Sequence, residues 1–174
     1  RGHGDMIVRR PTRRSQRGFF VLPGGMGAAA PGGGPGTTFR YWRLFITLND
    51  GSSSFVSLSR LKLMDGATDR ALSYSGTPSA NIAVDPAANA FDNNLGTEWV
   101  SNAYPGDNWI AVDLGAAYTL TSYQISSQRV VTGRTPTTWI LQGSDTSQTG
   151  PWTDVDSRSG ETGWGIQETR SYTL

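Results

Sequence analysis

Two nearby stretches decide the fold: Ala90-Phe-Asp-Asn-Asn-Leu-Gly-Thr-Glu-Trp99 and, ten residues later, Trp109-Ile-Ala-Val-Asp-Leu-Gly115. The first places a carboxylate, two amides, a glycine and a threonine within six positions and closes with a tryptophan. That composition is typical of a tight loop anchored in a core. The second stretch alternates and then stops at Asp-Leu-Gly, which predicts a buried strand that enters a turn.

The rest of residues 39–174 has the pattern of a β-domain. Residues 39–48 alternate in polarity, which predicts a strand with Trp42, Leu44, Ile46 and Leu48 on its buried face. Asn49-Asp-Gly-Ser then favours a hairpin turn with residues 55–64 as the returning strand. Residues 86–89 are predicted to form a short helical turn. No long helical period is present, so we predict an all-β jelly-roll sandwich. Further strands are predicted at residues 109–114, 118–126, 137–143 and 168–174.

Composition limits the class of the protein. At 174 residues, the chain is long enough for one domain with a proper core. It contains no cysteine, which excludes disulfides and thiolate metal sites, and no apolar run approaches the roughly eighteen residues of a membrane span. Residues 1–38 carry six arginines against one acid, whereas residues 39–174 carry nine basic and thirteen acidic side chains. A basic segment joined to a mildly acidic domain predicts different partners for the two parts.

Residues 1–38 are predicted to form an assembly arm rather than a fold. The arginine-rich stretch has no apolar period, and Pro23-Gly-Gly-Met-Gly-Ala-Ala-Ala-Pro-Gly-Gly-Gly-Pro-Gly36 has few side chains to bury. A rival interpretation is a twin-arginine export signal at Arg13-Arg14. We expect the arm to be held by another protein. The residues expected to make those contacts are Arg9, Arg10, Arg13, Arg14, Arg17, Phe19, Phe20 and Leu22.

Several motifs together resemble the discoidin family, also called the coagulation-factor (F5/8) type C family. Its relatives include many carbohydrate-binding modules with a galactose-binding-like jelly-roll fold. The two opening stretches resemble the signature of this family, and Trp139-Ile-Leu-Gln-Gly-Ser-Asp-Thr-Ser-Gln-Thr-Gly-Pro-Trp152, preceded by Arg134-Thr-Pro136, resembles another part of it. The resemblance covers about residues 39–174 and implies a galactose-binding-like β-sandwich.

The motifs stand in an unusual order. Tyr41-Trp-Arg-Leu-Phe-Ile-Thr47 and Ser57-Leu-Ser-Arg-Leu-Lys-Leu63 resemble the strands that close the family's domain, but here they come first. Two explanations are open: a circularly permuted domain, or a chain that straddles two incomplete repeats. We prefer permutation, because one complete set of strands is present and the termini of sandwiches often lie close together.

The resemblance also implies a calcium site in the opening loop. Carried over, Asp92 and Asn94 would offer side-chain oxygens, and Thr97 its hydroxyl and carbonyl oxygens, to a hard cation. The acidic ligand expected on the closing strand aligns with Arg60, which removes one ligand and adds a positive charge. We therefore expect no cofactor, with structural calcium as the open alternative. Arg60 either replaces calcium by pairing with Asp92 or faces solvent beside a self-capped turn.

Glycan binding is the function that the resemblance implies. The family's recognition loops correspond to residues 74–84, 101–108 and 126–134, and sugar sites combine aromatic platforms with hydrogen-bonding side chains. The competing interpretation is structural, with loop aromatics covering the edges of the core and Arg134 as a structural residue of the family. Trp42, Trp99, Trp109 and Trp139 are assigned to the core, whereas Trp164 is expected to be exposed. The glycan-binding candidates are Tyr74, Asn81, Tyr104, Asn108, Arg129, Arg134 and Trp164.

Catalysis and nucleic-acid binding have little basis in the sequence. The single histidine, His3, lies in the arm, so the domain has no serine–histidine or histidine–metal constellation, and its scattered carboxylates form no acid–base motif. The arm could neutralise phosphates but lacks interleaved aromatics beyond Phe19 and Phe20. We therefore expect the protein not to be an enzyme and the arm to bind protein rather than nucleic acid.

The prediction is a virion structural protein of the decoration or tail-fibre type. Its arm anchors it to other assembly proteins in a homo- or hetero-oligomer, and its sandwich faces outward, where it touches glycans. One alternative is a secreted carbohydrate-binding module with glycan adhesion as its main role. Another is a purely structural cementing module with no ligand.

Overall fold

The computed structural model describes residues 1–2, 37–52, 54–102, 104–130 and 132–174. The chain divides between Ala30 and Pro31 into two units, and the described fold belongs to the second, Pro31–Leu174. The predicted arm contacts from Arg9 to Leu22 lie outside the described residues. None of the helical turns in the described part has the length or the apolar run that a membrane span needs.

The described fold is all-β, as the alternating sequence predicts. Two short 3-10 turns, Arg70–Ser73 and Ala87–Ala90, accompany the strands, and the second confirms the turn expected at residues 86–89. The strands are β1 (Thr38–Asn49), β2 (Val56–Leu58), β3 (Arg60–Asp65), β4 (Thr68–Asp69), β5 (Ser75–Ala80), β6 (Trp99–Ser101), β7 (Asn108–Thr119), β8 (Ser122–Ser126), β9 (Pro136–Ser144), β10 (Thr153–Arg158) and β11 (Thr169–Thr173).

The strands are arranged in antiparallel sheets, which confirms the predicted sandwich class. A five-stranded sheet has the order β10-β9-β1-β7-β5, a four-stranded sheet the order β11-β8-β3-β4, and β2 pairs with β6. β1 is the central strand of the larger sheet. Phe45 on β1 pairs with Trp109 of β7 on one side and with Ile140 of β9 on the other.

The prediction of a hairpin after β1 is wrong. Residues 55–64 do not return along β1, because β2 pairs with β6 and β3 pairs with β8 in the four-stranded sheet. The side chain of Asn49 closes the turn, with Nδ2 donating to the carbonyls of Ser52 at 3.1 Å and Phe55 at 2.6 Å. Leu48, predicted on the buried face, is 49% exposed because the register between β1 and β9 shifts after Ile46.

The hydrophobic core draws on both larger sheets. Its centre includes Trp139 of β9 and Tyr123 of β8, and the Trp139 indole Nε1 donates to the Tyr123 hydroxyl at 2.9 Å. Tyr123 in turn donates to Asp156 Oδ2 at 2.6 Å. Buried aromatics of this size contribute most of the apolar area that stabilises a small sandwich. Other core residues exposed by 2% or less include Trp42, Leu44, Ile46, Leu61, Leu63, Phe91, Trp99, Ile110, Val112, Ile125 and Leu141.

Candidate functional site

The two tyrosines expected as sugar platforms lie at the margin of the core. Tyr74 and Tyr104 are half-buried and pack against the core cluster, and the Tyr74 ring meets Phe91 edge-on at 6.2 Å between centroids. Of the two loop arginines, Arg129 is exposed, whereas the Arg134 guanidinium lies 4.6 Å from the centroid of the Phe55 ring. These four candidates therefore do not form one site among the described contacts.

The two predicted asparagines differ in role. Asn81 is exposed, its Oδ1 accepts from the Trp109 backbone N–H at 3.1 Å, and its Nδ2 donates to the Asp107 carbonyl. Asn108 is fully buried, which contradicts its assignment as a glycan contact. Its Oδ1 accepts from the Ser101 hydroxyl at 2.6 Å and its Nδ2 donates to the Gly106 carbonyl at 2.8 Å. A buried amide needs such partners, so Asn108 holds the loop before β7.

Trp164 is not the exposed aromatic that its glycine neighbours predict. It is 3% exposed and belongs to the hydrophobic core. Its indole Nε1 donates to the carbonyls of Pro136 at 3.1 Å and Glu161 at 2.7 Å, and the Arg170 guanidinium lies 4.0 Å from its ring centroid. Gly163, at φ +70°, makes the turn that places the ring inward. Trp164 is therefore a structural residue.

The Ala90–Trp99 loop closes on itself. Asp92 Oδ1 accepts from the Asn94 backbone N–H at 2.8 Å, and Oδ2 accepts from the Thr97 hydroxyl at 2.7 Å. Asn94 Oδ1 accepts from the Gly96 backbone N–H at 2.8 Å. These bonds use the oxygens that a hard cation would need, and the described residues contain no cluster of three or more acidic or histidine side chains suited to a metal. As folded, the loop fits a self-capped turn better than a calcium cage.

Arg60 reaches this loop at a different residue from the one expected. Its Nη1 donates to Asn93 Oδ1 at 3.1 Å, and its Nη2 lies 3.5 Å from the Thr169 hydroxyl. Among the described residues the guanidinium makes no ion pair with Asp92 within 4.0 Å. The predicted pairing of Arg60 with Asp92 is therefore corrected: Arg60 ties β3 to the loop through an amide.

The outer face of the five-stranded sheet carries a cluster of aromatic and polar side chains. Alternate residues of β1 enter the core, so Arg43 and Phe45 point to the opposite side of the sheet. Strand pairing brings Phe45 beside Trp109 of β7, and Arg43 beside Gln142 of β9. Trp152, just before β10, completes the group. We call Arg43, Phe45, Trp109, Gln142 and Trp152 the Arg43 face.

Aromatic rings surround the guanidinium of Arg43. Its central carbon lies 4.6 Å from the ring centroid of Trp152, 5.1 Å from that of Phe45 and 5.9 Å from that of Trp109. All four side chains are half-buried, so part of each ring faces solvent. Such cation–π contacts hold the arginine in place among the three rings.

Hydrogen bonds fix the orientation of the guanidinium. Arg43 Nε donates to Gln142 Oε1 at 2.8 Å, and Gln142 Nε2 donates to Asp154 Oδ1 at 2.6 Å. Burial lowers the pKa of Arg43, whereas Asp154 and, more weakly, Asp107 raise it. The group is nonetheless a cation at neutral pH, because an unperturbed arginine has a pKa of about 12.5 or more. Among the described residues no carboxylate forms an ion pair with it within 4.0 Å.

The Arg43 face can bind a ring-shaped ligand that is both apolar and polar. Its aromatic faces offer flat apolar surface, the terminal nitrogens of Arg43 offer donors, and Asp154 and Asp107 offer acceptors. A sugar ring has this dual character, with C–H groups on its faces and hydroxyls around its edge. Few, well-placed polar groups among aromatic side chains are typical of small-ligand sites.

The residues of the Arg43 face are not among the glycan-binding candidates, most of which were predicted from the recognition loops. The predicted glycan-binding residues do not include Arg43, Phe45, Gln142 or Trp152, and Trp109, expected in the core, is half-buried. One signal was present in β1, where Arg43 and Phe45 occupy the positions that alternate with the core residues. The position of Trp152 depends on the packing of a distant segment, which local pattern does not give.

Comparison with known proteins adds a family match. Residues 89–174 match the family model of the F5/F8 type C group described as NedA-like, galactose-binding domain. The matched part runs from the second 3-10 turn through β11 and includes Trp109, Gln142 and Trp152 of the Arg43 face. Neither the curated proteins nor the solved structures compared with the chain gave a match. The all-β antiparallel architecture is consistent with a galactose-binding-like β-sandwich.

Proposed function

We propose that the domain starting at β1 is a non-catalytic carbohydrate-binding module and that the Arg43 face is its binding surface. The observation that carries the proposal is the guanidinium of Arg43 set among the rings of Trp152, Phe45 and Trp109 at 4.6, 5.1 and 5.9 Å. The match of residues 89–174 to a galactose-binding domain supports the ligand class, because domains of this type generally bind rather than catalyse.

The clustering of three half-buried aromatic rings on the outer face of the sheet also needs a physical explanation. The solvent face of an antiparallel sheet is normally polar, and clustered apolar surface on it is typical of an interaction site. Arg43 adds a cation with few hydrogen-bonding partners, since only its Nε has a hydrogen bond within the described residues. A binding surface accounts for both features, whereas a structural role requires neither the exposed ring area nor the unpaired terminal nitrogens.

The direct test is polysaccharide binding by the full chain and its variants. Affinity gel electrophoresis against galactan, mannan and glucan should show retardation by at least one polymer. Trp109→Ala and Arg43→Gln should each weaken that binding by about fivefold, since one stacked contact is worth roughly 1 kcal/mol. Tyr118→Ala is the matched control, because Arg70 lies 4.3 Å from that ring nine residues further along β7. Equal losses in all three variants would contradict the assignment of the face.

The more specific role predicted from the sequence, that of a virion decoration or tail-fibre protein, depends on residues 1–38. Residues 3–36 lie outside the described residues, and the family match concerns only residues 89–174. We keep the assembly arm and its protein partners as a proposal. Removing residues 1–36 leaves β1 intact and should yield a folded domain that no longer joins its assembly. Incorporation of that truncated chain would rule out the role of the arm.

We also propose that the domain is circularly permuted. β1 and β3, which resemble closing strands, precede the matched residues 89–174 in the chain, yet they pair with β7, β9 and β8. The two ends of the fold lie side by side. The carbonyl of Thr37 accepts from Leu120 N at 3.0 Å, and Leu174 N donates to the carbonyl of Thr121 at 3.0 Å. Adjacent ends are what a permutation requires.

A further inference from the structure

Building on the proposed function, we infer that the Arg43 face binds neutral sugar chains of at least two rings and discriminates against chains that carry carboxylates. Three features of the described residues lead to this ligand class: the charges around Arg43, the balance of donors and acceptors, and the spread of the aromatic rings across the strands.

The charges favour a neutral ligand. Arg43 contributes one positive charge, and the two carboxylates that act on it, Asp154 and Asp107, contribute two negative charges. Both carboxylates are exposed. The other arginine of β1, Arg40, is neutralised by a bidentate pair with Asp113. The two carboxylates therefore offset the attraction of Arg43 for a carboxylate or phosphate, and this disfavours acidic saccharides and nucleic acids relative to neutral ligands.

The hydrogen-bonding groups favour hydroxyls. A sugar hydroxyl both donates and accepts, so it is best satisfied beside a donor and an acceptor together. Arg43 uses Nε for Gln142 and keeps its two terminal nitrogens as donors. Asp154 uses Oδ1 for Gln142, which leaves Oδ2 as an acceptor among the described contacts. Donor and acceptor are joined through the same glutamine, so their relative position is fixed before a ligand arrives.

The rings extend across the sheet. Trp109 lies on β7 and Trp152 next to β10, and β1 and β9 separate these two strands. Neighbouring strands are about 4.8 Å apart, so the segments that carry the two indoles are separated by roughly 14 Å. Both rings nevertheless contact Arg43, one on each flank. A single sugar would cover one flank, whereas two linked sugars would cover both and share Arg43 between them.

The test compares each polymer with its own acidic form. The full chain is run against galactan, mannan and glucan before and after oxidation of the C6 hydroxymethyl group to a carboxylate, and the polymer's mono- and tetrasaccharides are used as competitors. We expect the oxidised polymer to bind about tenfold more weakly than the neutral one. The tetrasaccharide should compete at a concentration at least tenfold lower than the monosaccharide.

Charge variants supply the control. The double variant Asp107→Asn with Asp154→Asn should recover most of the binding to the oxidised polymer, because amides keep the hydrogen bond to Gln142 and remove the repulsion. Asp50→Asn with Asp85→Asn changes the net charge equally and should leave the preference unchanged. Equal or tighter binding of the oxidised polymer, or a monosaccharide as effective as the tetrasaccharide, overturns the inference but leaves carbohydrate binding standing. No binding to any polymer in either form overturns the proposed function itself.

Discussion

Arg40 and Asp113 form a bidentate ion pair that joins β1 to β7. Arg40 Nε lies 2.8 Å from Asp113 Oδ1, and Nη2 lies 2.8 Å from Oδ2. Asp113 Oδ1 also accepts from the Gly115 backbone N–H at 2.7 Å. The pair sits where the register between the two strands shifts, between Phe39 and Tyr41. It therefore holds the one irregular point in the pairing of the central strand with β7.

This pair predicts a loss of stability in acid. Arg40 and the Gly115 N–H lower the pKa of Asp113 in the folded state, below the unfolded value of about 3.9. The ionised Asp113 carboxylate contributes its full stabilisation at pH values above the unfolded pKa. This stabilisation declines as the pH falls from the unfolded pKa towards the folded pKa. Asp113→Asn should lower the melting temperature at pH 7, and the difference from the native chain should narrow below about pH 4. The control is Asp85→Asn, which removes an exposed carboxylate. A difference that stays constant with pH would contradict the prediction.

The hydrogen bonds of Tyr123 give a second prediction. Burial raises the pKa of Tyr123, so its hydroxyl stays protonated and bridges Trp139 and Asp156. Tyr123→Phe leaves the buried Trp139 N–H without its acceptor and removes a donor from Asp156. We expect a loss of about 1–3 kcal/mol in the free energy of unfolding, measured with urea. Tyr118→Phe, at a half-buried ring, should cost less than about 0.5 kcal/mol. Equal costs would show that the buried bonds contribute nothing.

The Ala90–Trp99 loop should be stable without calcium. Its candidate ligand oxygens are hydrogen-bonded within the loop, and Arg60 adds a cation at Asn93. Calcium at one hundred times its dissociation constant would stabilise the fold by about 2.7 kcal/mol. We expect no such change in melting temperature between chelator and millimolar calcium. A clear upward shift with calcium in the native chain would refute the self-closed loop.

Restoring the missing acidic ligand gives the converse prediction. Arg60→Glu places a carboxylate where the family pattern expects one and removes the cation from the loop. The variant should gain a calcium-dependent rise in melting temperature that the native chain lacks. Lys62→Glu makes the same change of charge two residues along β3 and should show no calcium response. A response in both variants would indicate general charge screening rather than a site.

Much of the fold could be predicted because its signal is local. Alternation in residues 39–48 and 109–114 identified the two strands that pair at the centre of the larger sheet, and Trp42, Trp99 and Trp139 are buried as expected. The prediction of a hairpin at Asn49 was wrong because turn residues indicate a change of chain direction but do not determine which strand the next one pairs with. The two strands in residues 55–64, β2 and β3, pair with β6 and β8, which lie roughly forty and sixty residues further along the chain.

The candidate site was harder to predict because it depends on long-range register. Trp164 and Asn108 looked available from their neighbours in sequence, yet both are buried by segments that the local pattern does not identify. The cluster around Arg43 forms only when β1 lies between β7 and β9 and Trp152 folds back beside it. No short motif contains these residues, so sequence spacing alone could not group them.

The adjacency of Thr37 and Leu174 predicts that the strand order can be changed without loss of the fold. A rearranged chain keeps residues 1–36 in front, continues with 84–174, and joins Leu174 to Thr37 through about four glycine and serine residues, which reach roughly 13 Å. It then ends at residue 83, in the exposed segment 81–84. Every strand pair is preserved, so the free energy of unfolding should stay within about 2 kcal/mol of the native value. A control chain opened between Ala111 and Val112 cuts β7 beside its pairings with β1 and should not fold. Failure of the first chain to fold, while the native chain folds under the same conditions, would exclude the permuted arrangement.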